Sequence, residues 1–132
     1  MADILGTMHA FPIFASQKLK TRAIQLEDGM DYLHQAKDLN PESCNSGLQV
    51  LYQLGTEDIL LRATVEVFSH IAKEPCFNQL RTIEQLGYIV FSSSFRSHGI
   101  EYFRVIVQSD VATPEYVDAS IEKFLIQLRQ DQ

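Results

Sequence analysis

The stretch from Glu74 to Ser92, EPCFNQLRTIEQLGYIVFS, constrains this chain most, because it carries its own start, stop and change of period. Pro75 suits a first helical position, where its missing N–H is no loss. Gly87 suits a helix end in a left-handed turn. Between them Phe77, Leu80, Arg81 and Glu84 fall at i, i+3, i+4 and i+7, and so share one helical face. From Tyr88 the pattern becomes that of a strand. A cation and an aromatic ring on one face, followed by Tyr88 at a strand start, read as a surface that meets something.

The flanking segments predict one α+β unit. Thr21 to Glu27 alternates and ends at Asp28-Gly29, a hairpin signal, which predicts Met30 to Ala36 as a second strand. Lys37 to Ser46 is a polar loop. Leu48, Val50, Tyr52 and Leu54 alternate with Gln49, Leu51 and Gln53, as a half-buried strand does. Thr56 is the expected N-cap of a helix with Glu57 and Asp58 in its first turn. Leu60, Leu61, Thr64, Val65, Phe68, Ile71 and Ala72 form its stripe down to Lys73. Tyr88–Phe95 and Ile100–Gln108 read as strands joined through His98-Gly99. Thr113-Pro114 opens a last helix with Val117, Ile121, Phe124, Leu125 and Leu128 on its apolar side. The order predicts helices packed on one face of a mainly antiparallel sheet.

Composition narrows the function. A chain of 132 residues suits one domain and buries enough surface to need no staples. A net charge of −6 speaks against non-specific nucleic-acid binding. No apolar run reaches membrane-spanning length, and the start has no basic region of a signal peptide. Cys44 and Cys76 are too few for a disulfide framework and are expected as free thiols in an intracellular, cytoplasmic setting. None of His9, His34, His70 and His98 lies in a metal-binding frame. His70 is followed by Glu74 four positions on with no second histidine, so no metal ligand is expected here. Glu84 next to Gln85 reads as a solvated carboxylate.

The run from Glu74 to Ser92 resembles the C-terminal half of the insulin-degrading-enzyme and pitrilysin group of zinc peptidases. Leu51-Tyr52-Gln53, Val107-Gln108-Ser109 and the segment from Ile121 to Leu125 extend the resemblance, which covers the chain from about Thr21. Residues 1–20 resemble the family's inter-domain connection only loosely, so the expected division is a linker-like 1–20 and a catalytically inactive partial domain at 21–132. The family binds zinc through an inverted His-x-x-Glu-His helix. That motif is absent, so the resemblance implies a zinc centre in the N-terminal half of a parent peptidase and inactivity of this chain alone. It implies that Arg81 and Tyr88 contact bound peptide near the scissile bond and that Phe77 lies beside an apolar pocket. An arginine fork and a phenol hydroxyl are suitable donors to peptide carbonyls, and both strengthen as a closing cleft excludes water.

The family domain continues beyond the position of Gln132 with helices, a strand and a basic segment tied to anion binding. On that expectation an unfinished edge or apolar face leads to self-association or to pairing with the zinc-bearing half. The other reading is a stand-alone peptide-binding or subunit-pairing module.

Overall fold

The computed structural model describes residues 12–18 and 22–130. His9 and Thr21 lie outside the described residues, as do 1–11 and 19–20 of the linker-like segment. Within 12–18 a single 3₁₀ turn spans Ala15–Gln17. The sheet contains β1 (Ser46–Thr56), β2 (Ile89–Ser97) and β3 (Ile100–Ser109), in the order β1-β3-β2 and antiparallel throughout. Helices α1 (Ile59–Phe77) and α2 (Pro114–Gln130) complete it. The α+β expectation holds among the described residues. No described helix is long and apolar enough to cross a membrane.

The period of two in β3 is followed by its burial. Phe103, Val105 and Val107 are buried on the helix face, and Tyr102, Arg104, Ile106 and Gln108 are half-buried on the other. Opposite them, Tyr52, Val50 and Leu48 of β1 extend the covered face, as Val90 does from β2. Val117, Ile121 and Phe124 of α2 close the core together with Ala72, Cys76 and Leu80. Phe103 stacks on Tyr52 at 6.2 Å and meets Phe68 edge-on at 5.0 Å, a favourable aromatic arrangement.

Five local expectations need correction. The hairpin predicted over 21–36 does not form: residues 22–36 contain no strand. The Asp28-Gly29 turn is present, with Met30 N–H donating to Glu27 O at 3.3 Å. Its arms lack a core to face, since Ile24 is 83% and Leu33 78% exposed. A hairpin without a third strand or a packed face is marginal in water. Part of the first arm is instead held by Gln53, whose side chain accepts from Leu26 N–H at 2.9 Å and donates to Ile24 O at 3.0 Å.

The N-cap of α1 is Asp58, not Thr56, which ends β1. The Asp58 carboxylate accepts from Leu60 and Leu61 N–H at 2.9 and 3.0 Å. The buried line of α1 runs Val65, Ser69, Ala72 and Cys76, so Leu60 and Ile71 face outward.

Nor do two helices meet at Pro75. The proline lies inside α1, which passes directly into a π-helical segment, Asn78–Ile83. Pro75 has no N–H to give the carbonyl of Ile71, four residues back, but the helix continues past it. The left-handed residue ending the π-helical segment is Gln85, with φ 53, rather than Gly87. Leu86 N–H then reaches back to Leu80 O at 3.0 Å.

The β2–β3 turn is tight. Ser97 pairs with Ile100, and His98 and Gly99 both have positive φ, 54 and 76. This is the pattern of a two-residue type I′ hairpin, whose twist matches that of the strands it joins.

Candidate functional site

Three residues singled out from sequence come together. Phe77, Arg81 and Tyr88 line one shallow, open depression of about 670 Å³, at the junction of the α1 end, the π-helical segment and the β2 start. Thr82, Gln85, Gly87, Asp110 and Val111 complete its lining.

The π-helical segment decides which side chains point where. Its wider turn shifts the phase after Phe77, so Leu80 goes fully into the core while Arg81 remains half-buried at the rim. Phe77 is 46% exposed and Tyr88 80% exposed. The shared face expected for Phe77, Leu80, Arg81 and Glu84 is therefore split: Leu80 anchors the segment, and Phe77 and Arg81 look into the depression. Glu84 accepts from Gln79 Nε2 at 2.7 Å, which fastens the segment's last turn.

Among the described residues the guanidinium of Arg81 has no ion-pair partner. The ion pair among the described residues joins Arg96 to Glu57 at 2.6 Å and does not involve Arg81. A free guanidinium, a phenol and an exposed aromatic ring around one open hollow can take a polypeptide backbone. The first two donate to carbonyl oxygens, and the ring covers an apolar side chain.

Asp110 and Val111 were not singled out from sequence. They reach the site because Gly87 passes directly over the end of β3, where an added Cβ would overlap the Gln108 carbonyl oxygen. That close approach brings the loop after Ser109 beside Gln85 and Tyr88. The glycine was legible in sequence, but its neighbour in space was not.

Other candidates separate from the site. Among the described residues no group of three or more His, Cys, Asp or Glu converges on a point where a metal could sit, so these residues do not fit a zinc centre. His34 and His70 are exposed. His98 is exposed in the hairpin turn, with Nδ1 2.7 Å from Ser97 Oγ. Cys44 and Cys76 are free thiols, the first exposed and the second buried. Burial pushes the Cys76 thiol up, and the Ser92 hydroxyl beside it pulls the other way.

A three-stranded antiparallel sheet with both helices on one face is consistent with a half-domain of the pitrilysin type. Residues 67–131 match the family model described as "PQQ synthase PqqF-like, C-terminal lobe domain 4". Human insulin-degrading enzyme is 38% identical over 122 residues, covering 92% of this chain and 12% of its own length. The peroxisomal insulin-degrading enzyme-like 1 of Arabidopsis thaliana is 36% identical over 114 residues, 86% of this chain and 12% of its own. The A-factor-processing enzyme of Saccharomyces cerevisiae is 36% identical over 105 residues, 80% and 10% of the two chains. The chain belongs to the insulin-degrading-enzyme-like group of the pitrilysin family and corresponds to part of its C-terminal lobe. It spans 10% to 12% of the length of these relatives.

Proposed function

We propose that residues 21–132 form a non-catalytic, substrate-closing part of a zinc metalloendopeptidase that degrades peptides in an enclosed chamber. The observation that carries this reading is the convergence of Phe77, Arg81 and Tyr88 on one open depression, with Arg81 free of any ion pair among the described residues. In this reading Arg81 and Tyr88 donate to the carbonyl oxygens of a bound peptide, and Phe77 covers a side chain beside them. These contacts gain strength only when a facing half excludes water, since Tyr88 is open to solvent in the chain by itself.

The zinc that hydrolysis requires belongs in this reading to the N-terminal half of the parent enzyme, and the chain alone is inactive. The relatives are named for degrading insulin and for processing A-factor, which supports a peptide as the substrate class. Pairing with the zinc-bearing half, or self-association, has physical support in the outward apolar residues of α1: Ile59, Leu60 and Val67 are all well exposed. Such surfaces find partners. The free thiols of Cys44 and Cys76 support an intracellular, cytoplasmic setting.

The test mixes the chain with the corresponding zinc-bearing half and follows cleavage of a quenched fluorescent peptide. Activity in the mixture alone, reduced about 100-fold by Arg81→Ala, is expected, since one lost donor costs on the order of 3 kcal/mol. A stable complex with no cleavage sinks the closing role.

A further inference from the structure

Strand β2 is one edge of the described sheet. The two-residue loop makes Ser97 and Ile100 a hydrogen-bonded pair, so the phase along β2 follows. Ile89, Phe91, Ser93, Phe95 and Ser97 direct their backbone groups to β3, and Val90, Ser92, Ser94 and Arg96 direct theirs outward. One contact verifies this phase: Ser94 N–H donates to Ser69 Oγ of α1 at 2.8 Å.

That contact also closes the edge at Ser94. At Val90 and Ser92 nothing equivalent occurs, and no further backbone hydrogen bond satisfies their outward amides among the described residues. Both residues line a cavity of about 280 Å³ together with Lys73, Glu74, Phe77 and Phe91. The Ser92 hydroxyl in its wall is buried, with the Cys76 thiol as its neighbour. Buried polar backbone normally finds a partner, and an open edge is a template for another strand.

We infer that the edge at Val90–Ser92 receives a short extended peptide segment as an added strand, main chain to main chain, with an apolar side chain on the helix side against Phe77. Phe77 belongs both to this cavity and to the depression around Arg81 and Tyr88, so one extended chain runs along the two. The open stretch is three residues long and its amides are recessed in a cavity. That favours a narrow peptide over a second folded copy. Recognition by main chain with one apolar side-chain site tolerates many sequences. The inference rests on the proposal that this region meets peptide, and it adds how the peptide is held.

The probe is a capped, fluorescein-labelled peptide of alternating valines and threonines with a central tyrosine, titrated into the full chain by anisotropy. Two further peptides are N-methylated on alternate amides, one on each edge. A strand pairs along one edge, so one methylated peptide is expected to bind at least about 10-fold more weakly while the other binds within about twofold. Amide exchange is expected to slow at Val90 and Ser92, while Ser94, held by Ser69, is unchanged. Equal binding of both methylated peptides, or protection confined to β1, overturns strand addition. If Arg81→Ala still weakens binding in that case, the peptide-closing role survives without it. Absence of binding by every peptide overturns strand addition as well, and the cleavage assay with the zinc-bearing half then judges the closing role separately.

Discussion

Gly87 passes so near Gln108 that a methyl group in place of its hydrogen would lie 2.8 Å from the Gln108 carbonyl carbon and 3.1 Å from Ser109 Cα. Both neighbours are backbone, and β3 is the central strand, so neither can swing aside. This one approach docks the π-helical segment on the sheet and brings Asp110 and Tyr88 into the lining of one depression.

Gly87→Ala is therefore expected to destabilise the fold by about 2–3 kcal/mol through overpacking alone. Urea denaturation followed by circular dichroism measures it. A loss below about 0.5 kcal/mol would mean that the loop has room to move.

The two possible caps of α1 separate by mutation. Asp58→Ala removes the acceptor for Leu60 and Leu61 N–H and is expected to cost about 1 kcal/mol. Thr56→Ala leaves that cap intact and is expected to fall within about 0.5 kcal/mol of the unaltered chain. Thermal unfolding of the two variants side by side decides it.

Tyr52 donates to Glu122 at 2.6 Å, fastening β1 to α2. Burial first, then the Glu122 carboxylate, pushes its phenol well above the ordinary value near 10. A raised acid in the fold contributes stability that is complete below the unfolded value and is lost as pH rises past it. The chain is thus expected to lose stability more steeply above about pH 10 than Tyr52→Phe, which has no phenol proton to lose at that position. At neutral pH the same substitution is expected to cost about 1 kcal/mol for the hydrogen bond. Denaturant midpoints across the alkaline range report both effects, and parallel profiles would contradict the first.

The thiols are expected to react in two phases. Cys44 is exposed and should be labelled by a disulfide reagent at once, whereas Cys76 is fully buried and its thiol is pushed up by burial. Labelling of Cys76 should follow global unfolding and accelerate with urea in step with it. Two equally fast thiols would show that α1 opens readily at its C-terminal end.

Asp118 tests electrostatics at the surface of α2. Partial burial, then Glu122 and Asp31, push its carboxyl up. Its charge is therefore mildly unfavourable above the folded value, and the penalty fades as pH falls through that value toward the unfolded one near 3.9. Asp118→Asn is expected to stabilise at pH 7 by no more than about 0.5 kcal/mol after solvent screening, and the gain should vanish in acid. A gain that persists in acid would point to packing rather than charge.

Local patterns determined most of the framework. Alternation in β1, the strand patterns of β2 and β3, the stripe of α2 and the dipeptide at His98-Gly99 each encode their element through nearest neighbours, and each forms. So does the grouping of Phe77, Arg81 and Tyr88, which rests on resemblance and on a short stretch of chain. The residues from Arg22 to Ala36 show where alternation fails. The same period of two is present, but Gln53 holds the segment by a side chain and no core covers Ile24 or Leu33.

Tertiary contact decided the rest. Sequence marked Gly87 as a helix terminator, but its task is to clear Gln108, more than twenty residues away, and Gln85 takes the left-handed turn. Sequence placed a helix start at Pro75, but core packing of Ala72, Cys76 and Leu80 carries one helix through it and widens the turn that follows. Propensity acts over a few residues, whereas burial acts between any residues that the fold brings together, and where the two disagreed burial won.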